Sequence, residues 1–450
     1  MKNLSLENGC VKKVFFKFAI PSIAGLLIVS IQIMIDGMFI GNIVGPRGLA
    51  AVNLAMPYMN TIMSIVMMIS AGGAVLASIS LGKNQKQRAG EIATFTLVSY
   101  LIIVGVISIG SLLFLDKIIL FLGADAGLLP LVKAYMKPLL LLCIALNLPI
   151  YTETFARVGE KPNSVFLSGF VCCLSNIIMD YLFIVKFGWG ISGAAYATAI
   201  ANLLGGLTLF GYFFNGRSQI QFYKVKQDFK LLKNILYNGS SEMLTVVSTS
   251  IAAFLFNRII MKEIGEIGIS ALTIVFYVNT IVNISLYGLA QALQPIISYN
   301  LGAKRIQKIY DVLKVSLITG GSIGVTFFVL MKFYSAPLVN MFTDGNASLT
   351  TLTNEAIAYF VFAYIFSFIN IISSSFHTAI EKPLESASIA CLRSLIFVGI
   401  FLFTLPSIFG AKGIWMAIPM AEITCLIIST FMMMKSFRKI ENNMQLAVIN

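Results

Sequence analysis

Apolar residues fill this chain in twelve long runs separated by short polar breaks, near residues 14–43, 49–81, 90–115, 126–156, 163–186, 191–214, 231–262, 268–300, 309–333, 350–379, 385–408 and 411–434. A bilayer core about 30 Å thick is crossed by roughly 20 helical residues, so each run predicts one transmembrane helix. The predicted fold is an all-α integral membrane protein of twelve transmembrane helices. Several runs exceed the minimum span, which calls for tilt, kinks or ends that project into water. The polar opening MKNLSLENG leads through Val11-Lys12-Lys13-Val14 into a run too long for the apolar core of a cleaved signal peptide, so the first helix is expected to be retained.

The runs also repeat. Ser30-Ile31, Gly45, Gly48, Ala51, Ser78, Leu81-Gly82 and Gln87 recur about 220 positions later as Ser250-Ile251, Gly265, Gly268, Ala271, Ser298, Leu301-Gly302 and Gln307. The register slips by one residue to match Glu160-Lys161-Pro162 with Glu381-Lys382-Pro383, then returns in Gly190 and Gly193 against Gly410 and Gly413. The longest interior polar stretch, 215–230, separates the copies. The division predicted is an N-terminal lobe over 1–214, a cytoplasmic linker over 215–230, and a C-terminal lobe with a cytoplasmic tail over 231–450. Two pseudo-symmetric six-helix lobes are the architecture of secondary transporters, where alternating access needs two bundles that rock about a shared site.

Composition agrees with the runs: 58% of residues are hydrophobic and only 11% charged, too few to solvate a globule of 450 residues. The formal charge of +13 would suit nucleic acid, but its distribution argues for topology instead. About 22 of the 32 Lys and Arg fall on the N-terminus, the even-to-odd loops and the C-terminus, so both termini and the central linker are expected in the cytoplasm of a multi-pass plasma (inner) membrane protein. The same charges would attract anionic membrane lipid; no nucleic-acid partner is expected. Five of the six cysteines lie within apolar runs and none forms a CxxC, so they read as small hydrophobes. His377 is the single histidine and has no ligand-spaced partner. No GxxxxGK[ST] occurs, so no ATPase is built in; any uphill transport draws on an ion gradient or a separate subunit. A nucleophile with its base is missing as well, and no enzymatic activity or cofactor is expected.

Polar groups at membrane depth carry the candidate chemistry. An ionised Asp at a helix centre costs about 2.5–3.5 kcal/mol on insertion scales and is kept mainly where it has a use. Asp36 follows eighteen uncharged residues, Phe18–Ile35, and has Gln32 one turn before it; Asp180 has Asn176 one turn before it; Thr198 has Asn202 one turn after it. Spacing of i, i+4 puts each pair on one stripe. Carboxylate, amide and hydroxyl oxygens from three stripes could hold a small hard cation or a proton. Alternatively, Asp36 lies near the outer end of its helix and reaches water, with Asp180 hydrogen-bonded between helices.

Pro21-Ser22 fifteen residues ahead of Asp36-Gly37, Ser175-Asn176-Ile177-Ile178-Met179-Asp180, and Gly190-Ile191-Ser192-Gly193-Ala194-Ala195-Tyr196-Ala197-Thr198 resemble, in combination, the multidrug and toxic compound extrusion (MATE) family, prokaryotic type. The resemblance covers essentially all twelve helices. It implies two six-helix lobes around a V-shaped cavity and antiport of lipophilic, mainly cationic compounds against Na⁺ or H⁺. It also implies a cation site in the N-terminal lobe, falling here on Asp36, Asn176, Asp180 and Thr198, and a helix-bending proline at Pro21, whose missing N–H gives a bend its physical cause. Asn202 is added from spacing alone.

The chain departs from relatives that carry an acidic residue in the middle of the tenth helix, since Tyr359–Thr378 holds no Asp or Glu. Glu242 in the seventh helix and Glu422 in the twelfth are possible participants in coupling, but both are expected within reach of a membrane face, which favours a reading without a transport role. Met34, Met38, Met56, Met59, Met63, Met67 and Met68 in the first two runs could line an adaptable cavity with Gln32, or face lipid and core. Glu153 could attract a cationic substrate or pair with Arg157 one turn on. A lipid or lipid-linked oligosaccharide flippase would share the repeat but should line its cavity with Arg or Lys, which are sparse at membrane depth here. A complete two-lobe chain needs no partner to form its cavity, so a monomer is expected.

Overall fold

A computed structural model of the chain describes residues 6, 7, 9–214, 218–225, 227–343 and 346–449; positions 215–217 and 226 of the expected linker lie outside the described residues. The described residues contain helices and no strands. We number the spans α1 (Val11–Val44), α2 (Pro46–Gly82), α3 (Lys86–Leu113), α4 (Leu129–Leu141 with Cys143–Val158), α5 (Pro162–Lys186) and α6 (Gly190–Phe214). The second set is α7 (Phe229–Glu263), α8 (Glu266–Gly302), α9 (Ile306–Thr343), α10 (Ala347–Phe360 with Ala363–Ala379), α11 (Pro383–Phe409) and α12 (Ala411–Ile449).

Ten of the described helices are individually long and apolar enough to cross a membrane, and counting each bent pair as one span gives the expected twelve. The bends in α4 and α10 measure 54° and 50°. At the α10 break the chain tightens into i→i+3 bonds, Tyr364 N–H to Val361 O at 3.1 Å and Ile365 N–H to Phe362 O at 3.3 Å, with no Gly or Pro to announce it.

The repeat is written into the backbone. Left-handed conformations recur in register: Gly45 and Gly265 at φ 91° and 88°, Asn84 and Lys304 at 60° and 55°, Glu160 and Glu381 at 62° and 58°, Gly190 and Gly410 at 56° and 62°. Gly45 and Gly265 each turn one helix into the next, their N–H groups bonded to Ile40 O and Ile260 O, both at 3.0 Å. The Glu-Lys-Pro motif is a helix stop and start. Lys161 N–H reaches back to Ala156 O and Lys382 N–H to His377 O, both at 2.9 Å, closing the helix through the left-handed Glu. The proline then opens the next helix at a position where no N–H is required.

The chain forms two compact units, and their boundaries fall inside helices: Ala19/Ile20 in α1, next to Pro21, and Gly239/Ser240 in α7. One unit is built on Ile20–Gly239, the other on Ser240–Asn450 with the first turns of α1. The covalent halves and the compact units therefore differ by the first turns of α1 and α7, exchanged at equivalent repeat positions.

Within the unit of Ile20–Gly239, Tyr151 stacks on Tyr100 and packs against Phe155 with centroids 6.3 and 4.7 Å apart, and its hydroxyl donates to Ala93 O at 2.9 Å. In this unit α2 passes close against the first turns of α7. A Cβ on Gly72 would overlap the Ile235 carbonyl oxygen, and one on Gly239 would overlap the Met68 carbonyl oxygen. In the other unit small hydroxyls tie helices together: Ser298 to Ala379 O and Ser375 to Ala290 O at 2.9 Å, and Ser241 with Thr378 at 3.0 Å. Without a hydrophobic drive between helices in lipid, such packing and hydrogen bonds carry association.

Candidate functional site

Both candidate carboxylates stand at the edge of a π turn. The α-helical part of α1 carries Asp36 and then widens into the π turn Ile40–Val44; in α5, Asp180 is the last α-helical residue before the π turn Tyr181–Lys186. The two π turns pack on each other and on α6, which brings α1, α5 and α6 to one place. Lone π turns inside membrane helices recur at functional sites because the extra residue re-aims neighbouring side chains.

Four oxygens there have no protein donor. Asp180 and Asn176 are completely buried, and Asp180 Oδ1, Asp180 Oδ2, Asn176 Oδ1 and Asp36 Oδ1 are all buried and without a hydrogen-bond partner. Asn176 Nδ2 donates to Thr198 Oγ1 at 3.5 Å, joining α5 to α6. Asp36 and Asp180 repel each other electrostatically. Leaving one buried polar atom unpaired costs on the order of 1–3 kcal/mol, and more when charged. Two adjacent carboxylates without donors are therefore an arrangement that a cation or proton relieves. The donor set consists of hard oxygens only, which suits an alkali cation or a proton.

The remaining sequence-derived residues fall around this core. Asn202 commits its Nδ2 to the Thr198 carbonyl at 2.8 Å and so has its Oδ1 left to offer. Gln32 is buried and accepts from the Cys172 thiol at 3.5 Å, which fastens α1 to α5 one turn from Asp36. Pro21 sits inside the continuous helical stretch of α1. Met63 is half-buried and Met34 exposed. Glu153 is half-buried with buried Arg157 as its electrostatic partner, so these two meet each other rather than the Asp36–Asp180 pair.

Tyr135 of α4 was not singled out by the sequence reading. It is buried and within electrostatic reach of both Asp36 and Asp180. A tyrosine in an apolar run reads as core, and no spacing ties it to α1 or α5. Removing its hydroxyl should leave the carboxylates one polar neighbour fewer. Tyr135→Phe is expected to raise the half-saturating coupling-ion concentration several-fold with little change in maximal rate, measured as ion-driven efflux against ion concentration.

The other open acidic residues lie in the second unit. Glu242 accepts from Gln294 Nε2 at 2.7 Å. Glu422 is 4% exposed inside its unit, where α11 and α10 supply partners that no sequence spacing reveals.

Against known proteins, the family model of MatE matches residues 21–182 and 241–404, one copy on each half. The chain belongs to the MatE family. The multidrug export protein MepA of Staphylococcus aureus (strain bovine RF122 / ET3-1) is 22% identical over 422 residues, 93% of this chain and 92% of that protein. MepA of Staphylococcus haemolyticus (strain JCSC1435) is 23% identical over 430 residues, 94% of each. Among solved structures, a MATE in complex with MaL6 superposes with a TM-score of 0.93 at 20% identity, over 98% of this chain and 100% of that one. An outward-facing multidrug resistance MATE family transporter of the MOP superfamily gives 0.93 at 21%, over 98% and 99%. At that identity the likeness shows the fold alone, twelve membrane helices in two lobes.

Proposed function

We propose that this MatE-family chain is a secondary active multidrug efflux transporter, exporting lipophilic and mainly cationic compounds in exchange for Na⁺ or H⁺. The four donor-less oxygens of Asp36, Asn176 and Asp180 are the observation that carries this reading. The relatives named as multidrug export proteins support export of many compounds. The coupling site is the set Asp36, Asn176, Asp180 and Thr198, with Asn202 and Tyr135 beside it and Gln32, Met34, Met63 and Glu153 as candidates for the substrate cavity.

With both carboxylates ionised in low dielectric, their repulsion favours uptake of the coupling ion. Neutralisation lets α1 repack against α5 and α6, with Pro21 as the position where a missing N–H makes bending cheap. The repacked helix takes up space that a lipophilic substrate fills, so ion and substrate exclude each other. Binding of the ion from outside and release inside then drive export. In this reading the chain acts as a monomer in the plasma membrane, surrounded by lipid, with both termini cytoplasmic. The flippase reading loses ground at Arg393, whose guanidinium is already paired with Glu422.

The test is efflux of a fluorescent lipophilic cation from proteoliposomes or pump-deficient cells under imposed gradients. Efflux that follows an inward Na⁺ or H⁺ gradient and collapses with it supports antiport and names the ion; dye movement indifferent to both gradients refutes it. Because protons and Na⁺ compete for the same carboxylates, lowering the pH at fixed Na⁺ should weaken apparent Na⁺ affinity, which a Na⁺ titration at two pH values reads directly.

A further inference from the structure

The second unit buries one ion pair as thoroughly as the first buries its carboxylates. Arg393 lies in a π turn, Leu392–Ile396, in the middle of α11, and its Nε forms an ion pair with Glu422 Oε1 of α12 at 3.3 Å, with the side chains 11% and 6% exposed. Asn370 of α10 donates through Nδ2 to Glu422 Oε2 at 2.6 Å and to the Glu422 backbone oxygen at 2.9 Å. Its Oδ1 accepts from Ser429 Oγ at 2.5 Å. Tyr287 of α8 and Cys425 of α12 are the titratable neighbours that interact electrostatically with Arg393, α10 contributing the uncharged Asn370. Each carboxylate oxygen of Glu422 thus has a partner, Oε2 a hydrogen-bond donor and Oε1 a cation.

The repeat register sharpens the contrast. An offset of 220 carries Asp36 to Phe256 and Thr198 to Ile418; the one-residue slip in α5 carries Asn176 to Phe397 and Asp180 to Phe401. The position of the donor-less oxygens is therefore apolar in the second half. Polar chemistry there stands at the mates of Cys172 and Asn202, which are Arg393 and Glu422.

We propose that Arg393 is a built-in counter-ion. It does for Glu422 permanently what an exchangeable ion does for Asp36 and Asp180. The second half thereby holds the Glu422 carboxylate throughout the cycle without exchanging anything for it, and ion coupling does not run through this site. Arg393 is a positioning residue: it fixes Glu422 and Asn370 between α10, α11 and α12 and touches no transported species. The coupling clause rests on the antiport reading above; the counter-ion clause does not.

Three variants of the full chain separate the possibilities, each measured for thermal stability against pH in detergent and for ion-driven efflux in proteoliposomes. Arg393→Met leaves the Glu422 carboxylate without its cation, so a proton must replace it. This variant should gain stability as pH falls from about 8 to about 5, beyond any trend of the wild type. Arg393→Met with Glu422→Met removes both charges and should fold, since apolar replacement of a whole buried pair is generally tolerated. It should keep efflux within about twofold of wild type with the same ion dependence and no added pH trend. Glu422→Gln, which keeps the Asn370 contact, should likewise keep the ion dependence.

A double variant that fails to fold, or that folds and loses ion-driven efflux, overturns the proposal. So does a Glu422→Gln variant with altered ion dependence, or an Arg393→Met variant with the wild-type stability profile. If wild type itself shows no ion-driven efflux, the antiport reading fails, and the stability profiles still decide the counter-ion role.

Discussion

Asp180→Asn and Asp36→Asn are each expected to abolish ion-driven efflux while leaving the protein folded, and in the absence of coupling ion each should be at least as stable as wild type. The first half of that expectation follows from the donor set. Asp180 supplies two of the four donor-less oxygens and Asp36 a third, and an amide in place of either removes a full negative charge from the ion's surroundings. Second-sphere changes around bound ions already cost 10–100-fold in affinity, so loss of a direct charged ligand should cost roughly two orders of magnitude or more. The second half follows from burial. A carboxylate without a donor at membrane depth is a liability to the fold when no cation is bound, and the neutral amide removes it.

Thermal unfolding with and without the coupling ion reads both halves. A ligand at a hundred times its Kd stabilises the folded state by about 2.7 kcal/mol, so wild type should melt higher when Na⁺ is added at saturating concentration, or when pH is lowered if the ion is H⁺. Both variants should lose that shift. A variant that is strongly destabilised without ion would mean that the carboxylate has a structural partner in the folded protein, and the coupling role would fall with it. A variant that keeps both the shift and the efflux would remove its residue from the site.

The reach of the sequence differed between scaffold and site for physical reasons. The spans were legible because a bilayer fixes their length and composition, and the repeat because left-handed turns at Gly45 and Gly265, and the stop at Glu160 and Glu381, demand particular residues in register. The break in α10 at Val361-Phe362 and the π turns of α5 and α11 were not, since they arise from packing and leave no Gly or Pro behind. At the site, Asp36 and Asp180 stood out because buried charge is expensive, and Asn176 and Thr198 because i, i+4 spacing and family resemblance pointed to them. Tyr135 was hidden because its meaning lies in which helix it faces. The partners of Glu422 were hidden for the same reason: Arg393 and Asn370 are 29 and 52 positions away in the chain.

The scaffold itself has a position where the smallest side chain should be ruinous. Gly72→Ala is expected to cut the yield of folded protein sharply, and Gly72→Val to abolish it. A methyl group at Gly72 meets the Ile235 carbonyl oxygen and closes on Gly239 N at 3.0 Å; these are backbone atoms, which cannot swing aside as a side chain would. The reciprocal change, Gly239→Ala, meets the Met68 carbonyl oxygen. The helices must separate to admit either, surrendering the close packing that substitutes in lipid for a hydrophobic drive. Overpacking where side chains can adjust costs about 1–3 kcal/mol, so a backbone-to-backbone crossing should sit at or above the top of that range, a large fraction of typical net stability. Gly25 and Gly37 in α1 have open space where a Cβ would stand, and Ala there should be accepted, with a small gain in helix propensity. Size-exclusion profiles of fluorescently tagged variants compare the four sites in one experiment. Equal loss at all four would point to a general intolerance of α1, α2 and α7 to substitution, whereas loss confined to Gly72 and Gly239 identifies the α2–α7 crossing as the contact on which this unit's assembly depends.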